Sequence, residues 1–212
     1  MLRRTITVTG TSEIELSPDI IEFTISMKEY WKEEFESGKK YEDYITKIPM
    51  SDIEPIVLKQ LEKAGVKQDQ IKVSAIGNYH RQTGKDFLVS KTIVVTVSNF
   101  EIIDEITKTI TDKGINNMSI SNLQHSQIED YEKNLRITAL ENAEEKAGYL
   151  LHSLAEKCGE VISISETNVA QGSHGVEVGM LRASSDHRNP SATELRKITR
   201  RYTINATFAI AK

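Results

Sequence analysis

The chain has 212 residues, 38% apolar and 27% charged, with a formal net charge of −4. That composition can bury one good core, or a core and a small subdomain, and it excludes a disordered chain. The mild acidic balance speaks against a nucleic-acid binder, which carries a basic excess. No run approaches the roughly 18 apolar residues that a transmembrane helix needs, and the single cysteine, Cys158, excludes an intramolecular disulfide and a cysteine-based zinc site.

Thr5-Ile6-Thr7-Val8-Thr9 alternates polar and apolar residues and opens a strand at about 4–16. Met1-Leu2-Arg3-Arg4 has no apolar run after it and is not a signal peptide, so the chain is either cytoplasmic or begins after a removed signal. The Ser17-Pro18-Asp19 turn follows. A second strand at 20–31 sets Ile21, Phe23, Ile25 and Met27 against Glu22, Thr24, Ser26 and Lys28, the alternation of a half-buried antiparallel strand. The two strands are expected to form a hairpin. Residues 28–50 lose the period and read as an insertion with a partly exposed aromatic surface, carrying Tyr30, Trp31, Phe35, Tyr41 and Tyr44. Trp31 and Phe35, four apart, have the spacing of one helical face until Ser37-Gly38 interrupts.

A helix is predicted from Ser51, where Ser51 and Glu54 have capping-box spacing; Ile53, Val57, Leu58 and Leu61 form its apolar face and Gly65 ends it. Strands at 71–80 and 86–98 flank the turn Gln82-Thr83-Gly84-Lys85, and Ile93-Val94-Val95-Thr96-Val97 predicts a central strand. A helix at 100–113 carries Ile102, Ile103, Ile106 and Ile110 up to Gly114, and a strand at 116–126 shows Met118, Ile120 and Leu123. A long helix is expected over 128–158. Ile128, Tyr131, Leu135, Ala139, Ala143, Ala147, Leu150, Leu154 and Cys158 recur at three- and four-residue steps, giving a length of about 45 Å. Ala139, Ala143 and Ala147 would let it lie close on a sheet, Cys158 is a small apolar residue in its last turn, and Gly159 ends it. A strand at 160–169 precedes residues 170–195, a long loop rich in Gly, Ser, His, Asp and Asn. The last strand, 196–211, carries Ile198, Tyr202, Ile204 and Phe208.

The order β-β-α-β-β-α-β-α-β-β predicts an α+β fold over 1–212 as a single domain, with antiparallel or mixed sheets, layered helices and one long Ala-rich helix. A helix ended by Gly and followed by a strand occurs three times, without the sequence similarity of a repeat.

Two stretches carry a resemblance. Thr7-Val8-Thr9-Gly10-Thr11-Ser12-Glu13-Ile14-Glu15-Leu16-Ser17-Pro18-Asp19 resembles the opening of the SIMPL-domain family, and Ala139-Leu140-Glu141-Asn142-Ala143-Glu144-Glu145-Lys146-Ala147 with Leu154-Ala155 and Gly159 resembles its long helix. As an element order the likeness covers nearly the whole chain. It implies an exported protein of the bacterial envelope, periplasmic or membrane-associated, that in some members forms large ring-like homo-oligomers. It implies no agreed enzymatic activity and supplies no catalytic residues. The chain departs from the pattern in lacking a signal peptide and in its aromatic insertion at 28–50.

The remaining constellations are weaker than their bland readings. Gly172-Ser173-His174-Gly175 lacks the G-x-S-x-G spacing of a nucleophile elbow. His174, Glu177, Asp186 and His187 suit zinc or nickel by type, but no pair has a rigid helical spacing. Glu141, Glu144 and Glu145 read as a solvated helix face, and His152 as a surface or boundary residue of the same helix. Arg196, Lys197, Arg200 and Arg201, placed on a strand, divide between its two faces, which weakens a phosphate site, and no glycine-rich phosphate loop occurs. Trp31, Phe35, Tyr41 and Tyr44 form the candidate interface, because aromatic residues are enriched at protein contacts. The expectation is a non-enzymatic binding and assembly protein, a homo-oligomer with envelope partners, no cofactor, no metal and no nucleic acid. The alternative is a metal-dependent or serine hydrolase using the 170–190 loop.

Overall fold

The computed structural model describes residues 4–80, 87–167 and 196–211. The element order is β1 (Thr5–Leu16), β2 (Ile20–Lys28), β3 (Tyr30–Trp31), β4 (Lys47–Ile48), α1 (Met50–Lys63), β5 (Ile71–His80), β6 (Phe87–Val97), α2 (Phe100–Thr109), β7 (Ile115–Gln124), α3 (Ile128–His152), β8 (Lys157–Thr167) and β9 (Ile198–Ala211). The α+β class is as expected. The turn at 82–85 and the loop at 170–195 lie outside the described residues.

The described residues gather into two compact units, a continuous one from Pro18 to Leu123 and a composite one built from the segments on either side. The continuous unit holds a sheet of order β5-β6-β2-β7. Its core follows from the alternation of β2: Ile21, Phe23, Ile25 and Met27 are buried, as are Ile93, Val95 and Val97 of β6. β6 lies inside the sheet, between β5 and β2, as its β-branched run predicts. Ile53, Val57 and Leu61 of α1 and Ile103 and Ile106 of α2 are buried. Gly65, with φ of +86°, follows α1 as expected.

Two helix boundaries in this unit differ from expectation. Pro49 is the N-cap of α1 and makes no side-chain cap; Ser51 bonds Asp52 instead, and Glu54 pairs with Lys91, so the capping box does not form. α2 stops at Thr109 because Ile110 turns extended and enters the core.

The composite unit is a sheet of order β1-β9-β8 with α3 laid across it. β1 pairs antiparallel with β9 along its whole length, from Thr5↔Ala209 to Leu16↔Ile198, while β2 pairs with β6. The expected hairpin of β1 and β2 is therefore absent. Alternation tells which face of a strand is buried, not which strand lies beside it, and Pro18-Asp19 carries the chain from one sheet to the other. α3 buries Leu135, Ala139, Ala143, Ala147 and Leu151, a strict four-residue ladder. Its C-terminal reach is shorter than predicted: Ala155 takes a positive φ of 58° and the chain turns into β8. Cys158 therefore stands on β8 opposite Ile210, not in the helix, and Leu150 and Leu154 are exposed.

Helix and sheet meet at minimal distance. Val8, Ala143, Ala147, Ala206 and Phe208 form one cluster, and Leu135, Ala139, Tyr202 and Ile204 another. Gly10 lies between them. A Cβ placed there would stand 2.0 Å from the Ala139 carbonyl oxygen and 2.6 Å from the Ala143 nitrogen, so only glycine fits. The Ser12 hydroxyl donates to the Leu135 carbonyl at 2.6 Å. On the outer edge of β1, the Asn142 amide and the Lys146 ammonium donate to the carbonyls of Thr11 and Thr9.

Candidate interface and open strand edges

Residues 28–50, expected as an insertion, form a ribbon. β3 and β4 pair through Tyr30↔Ile48 and Trp31↔Lys47, short 3-10 turns occupy Lys32–Phe35 and Tyr41–Asp43, and Lys32 N–H bonds the Thr46 carbonyl at 2.9 Å. Its aromatic residues form separate pairs. The Phe35 ring packs edge-on against Tyr30, with centroids 5.4 Å apart, and the Lys113 ammonium lies 4.7 Å from its centre, a cation–π contact. Tyr41 and Tyr44 pack on each other at 5.5 Å. Trp31 is half-buried in the ribbon, its indole Nε1 buried without a hydrogen-bond partner. Phe35 retains 48% exposure.

Two buried carboxylates hold this ribbon. Glu29 accepts from the amides of Met50 and Val89 at 3.1 and 2.9 Å and pairs with the Lys47 ammonium at 2.6 Å. One side chain thus anchors the start of α1, a strand of the sheet and β4. Burial alone would raise its pKa; the Lys47 contact and the two amides outweigh that and hold it below the ordinary value. Glu33 accepts from the amides of Ile45 and Thr46. The Thr46 hydroxyl is the largest influence on it, and with these amides it overcomes burial and lowers the pKa to about 2. The sequence contained the signal. Glu29 continues the Ile21-Phe23-Ile25-Met27 face by one step, and a carboxylate on a core face requires partners.

A further feature was not read from the sequence. Among the described residues, β8 and β5 each end a sheet and leave helix-side apolar residues open. β8 carries Val161 and Ile164, 50% and 51% exposed, opposite Phe208 and Ala206 on the face that α3 covers over β9. β5 carries Val73 and Ile76, 53% and 69% exposed, opposite Ile93 and Lys91.

Three residues of the basic cluster form ion pairs. Lys197 meets Glu15 at 2.7 Å, Arg201 meets Glu13 at 2.8 Å and Arg200 meets Glu132 at 3.5 Å. Arg196 and Lys197 precede β9 rather than lying on it. Glu141, Glu144, Glu145 and His152 are exposed on α3. Ser173, His174, Glu177, Asp186 and His187 lie outside the described residues. Among the described residues no three His, Cys, Asp or Glu side chains gather as a metal site, and no helix is long and apolar enough to cross a membrane. A family model described as SIMPL, protein of unknown function (DUF541), matches residues 6–208. No curated protein matches the sequence.

Proposed function

The chain belongs to the SIMPL family, and we propose that it works as a binding and assembly protein rather than as a catalyst, associating with copies of itself and with proteins of the bacterial cell envelope. One observation carries the reading: the open apolar residues on the end strands β5 and β8. Covering apolar surface contributes about 25 cal/mol per Å², and an end strand offers unpaired N–H and C=O groups that another chain can complete. Phe35, half-exposed on the ribbon, adds a rigid aromatic contact. The envelope location is supported by the resemblance of the first strand and the Ala-rich helix to exported members of the family.

The test is the solution mass by light scattering coupled to size exclusion, at several protein and salt concentrations. A defined oligomer is expected, and Ile164→Lys or Phe35→Glu is expected to lower its mass. A strict monomer at every concentration, unchanged by either substitution, would defeat the self-assembly reading.

A further inference from the structure

Within the continuous unit a groove of about 800 Å³ runs beside α1. One wall is a helical stripe, Pro55, Leu58, Lys59 and Glu62, spaced by three and four residues; the other is formed by Lys67 and Ile71 at the entry to β5. Side chains opposite one another in an antiparallel pair share a face. Ile71 and Val73 lie opposite the buried Val95 and Ile93, and Ile76 lies opposite Lys91, whose ammonium pairs with Glu54 of α1. Ile71, Val73 and Ile76 therefore point to the α1 side of the sheet, Ile71 in the groove wall and the other two further along the same strand. β5 ends its sheet among the described residues, so one row of its backbone groups is unpaired.

The charge on the rim selects the occupant. Lys59 and Lys67 are exposed, and neither ammonium meets a carboxylate among the described residues. Glu62 is the one acid in the lining, which leaves the rim net positive. The bulge between Val73 and Ala75 divides the strand edge into two short stretches, a device that limits indiscriminate strand pairing. An open strand edge beside an apolar groove is the geometry of strand addition, in which backbone bonds give affinity and alternate side chains give specificity.

We propose that this groove takes an extended segment of a partner protein, added beside β5, with apolar residues at alternate positions directed toward α1 and an acidic residue set against Lys59 and Lys67. The proposal rests on the binding reading given above and names one surface for it.

The probe is a phage-displayed library of random nonapeptides panned against the full chain, followed by fluorescence anisotropy of the enriched peptide. Enriched sequences are expected to alternate apolar and polar residues and to carry Asp or Glu. Binding should weaken at least tenfold in Ile76→Lys and in the Lys59→Glu/Lys67→Glu pair, and should weaken with salt. Ile76, Lys59 and Lys67 are exposed, so these variants should keep the wild-type circular dichroism spectrum, which separates lost binding from lost folding. No enrichment, enrichment of basic peptides or of three- and four-residue apolar spacing, or binding indifferent to both variants would overturn the proposal. A drop in oligomer mass on Ile76→Lys would also overturn it, by making a second copy the occupant. The two readings fail separately: an oligomer that binds no peptide removes the groove alone, whereas a peptide-binding monomer removes self-assembly alone.

Discussion

Replacing Gly10 by alanine tests the close approach of β1 and α3. The new Cβ would stand 2.0 Å from the Ala139 carbonyl oxygen, 2.6 Å from the Ala143 nitrogen and 2.8 Å from the Ala143 Cβ. Two of these three neighbours are backbone atoms, so no rotamer change relieves the clash. Ordinary contact begins at 3.4 Å, and α3 must withdraw locally by about 1.4 Å to reach it. A gap of 0.5–1 Å already forfeits roughly a quarter to a half of a dispersion contact, and the withdrawal would loosen Val8, Ala143, Ala147, Ala206 and Phe208 together. Overpacking costs about 1–3 kcal/mol where side chains can yield; here the cost should be about 3 kcal/mol or more. For a chain of this length that is a fall in Tm of roughly 6–12 °C. Urea and thermal unfolding followed by circular dichroism measure it. An Ala143→Gly substitution added to the first removes only the Cβ contact and should restore little. If Gly10→Ala unfolds within about 2 °C of wild type, the close approach of β1 and α3 is wrong.

Three further outcomes follow from the same structure. Gly148 lies within α3 and a Cβ there meets nothing within 4 Å, so Gly148→Ala should stabilise by about 0.4–1 kcal/mol in the same unfolding assay. Glu29 and Glu33 both have folded pKa values below the ordinary 4.5, Glu33 at about 2. Their contribution is therefore full above the unfolded value and is lost as pH falls from about 4.5 toward 2. Glu29→Gln should cost about 1–3 kcal/mol at neutral pH by leaving buried donors unmatched and should flatten the acid limb of a stability–pH curve; an unchanged limb would contradict this. The Cys158 thiol is pushed above its ordinary value by burial and, secondarily, by Glu144. A disulfide reagent at pH 8 should therefore label the native chain markedly more slowly than the urea-unfolded chain, and equal rates would refute the placement on β8.

Much of the fold was legible where a side chain's own neighbours in sequence decide its fate. The alternation through Ile21, Phe23, Ile25 and Met27 and the β-branched run at 93–97 gave strands in the right places, and Ala139, Ala143 and Ala147 marked the helix face that lies close on a sheet. What was lost depends on partners distant in the chain. Thr9 meets Asn205, not the strand that follows it, and no local pattern announces that. The α3 ladder continues to Leu151, while stepping to Leu150 and Leu154 carried the expected helix past its end. The stop itself comes from Ala155 at positive φ, a conformation alanine seldom signals. The candidate interface was visible as composition in Trp31, Phe35, Tyr41 and Tyr44, whereas the open edges of β5 and β8 emerge only once strand order is known.

The pairing of β1 with β9 imposes an order on synthesis. Every strand and helix of the continuous unit leaves the ribosome in one uninterrupted stretch and can assemble as soon as Leu123 has emerged. β1 precedes that stretch, yet its neighbour β9 follows it and is complete only roughly ninety residues after Leu123. At about 5–20 residues per second, the roughly 180 residues between β1 and β9 keep β1 waiting about 10–40 s with both edges unpaired, and its alternating Thr and Val side chains resist helix formation in the interval. A nascent chain stalled before β9 should therefore hold one folded unit and an unprotected β1, the species on which a holding chaperone would act.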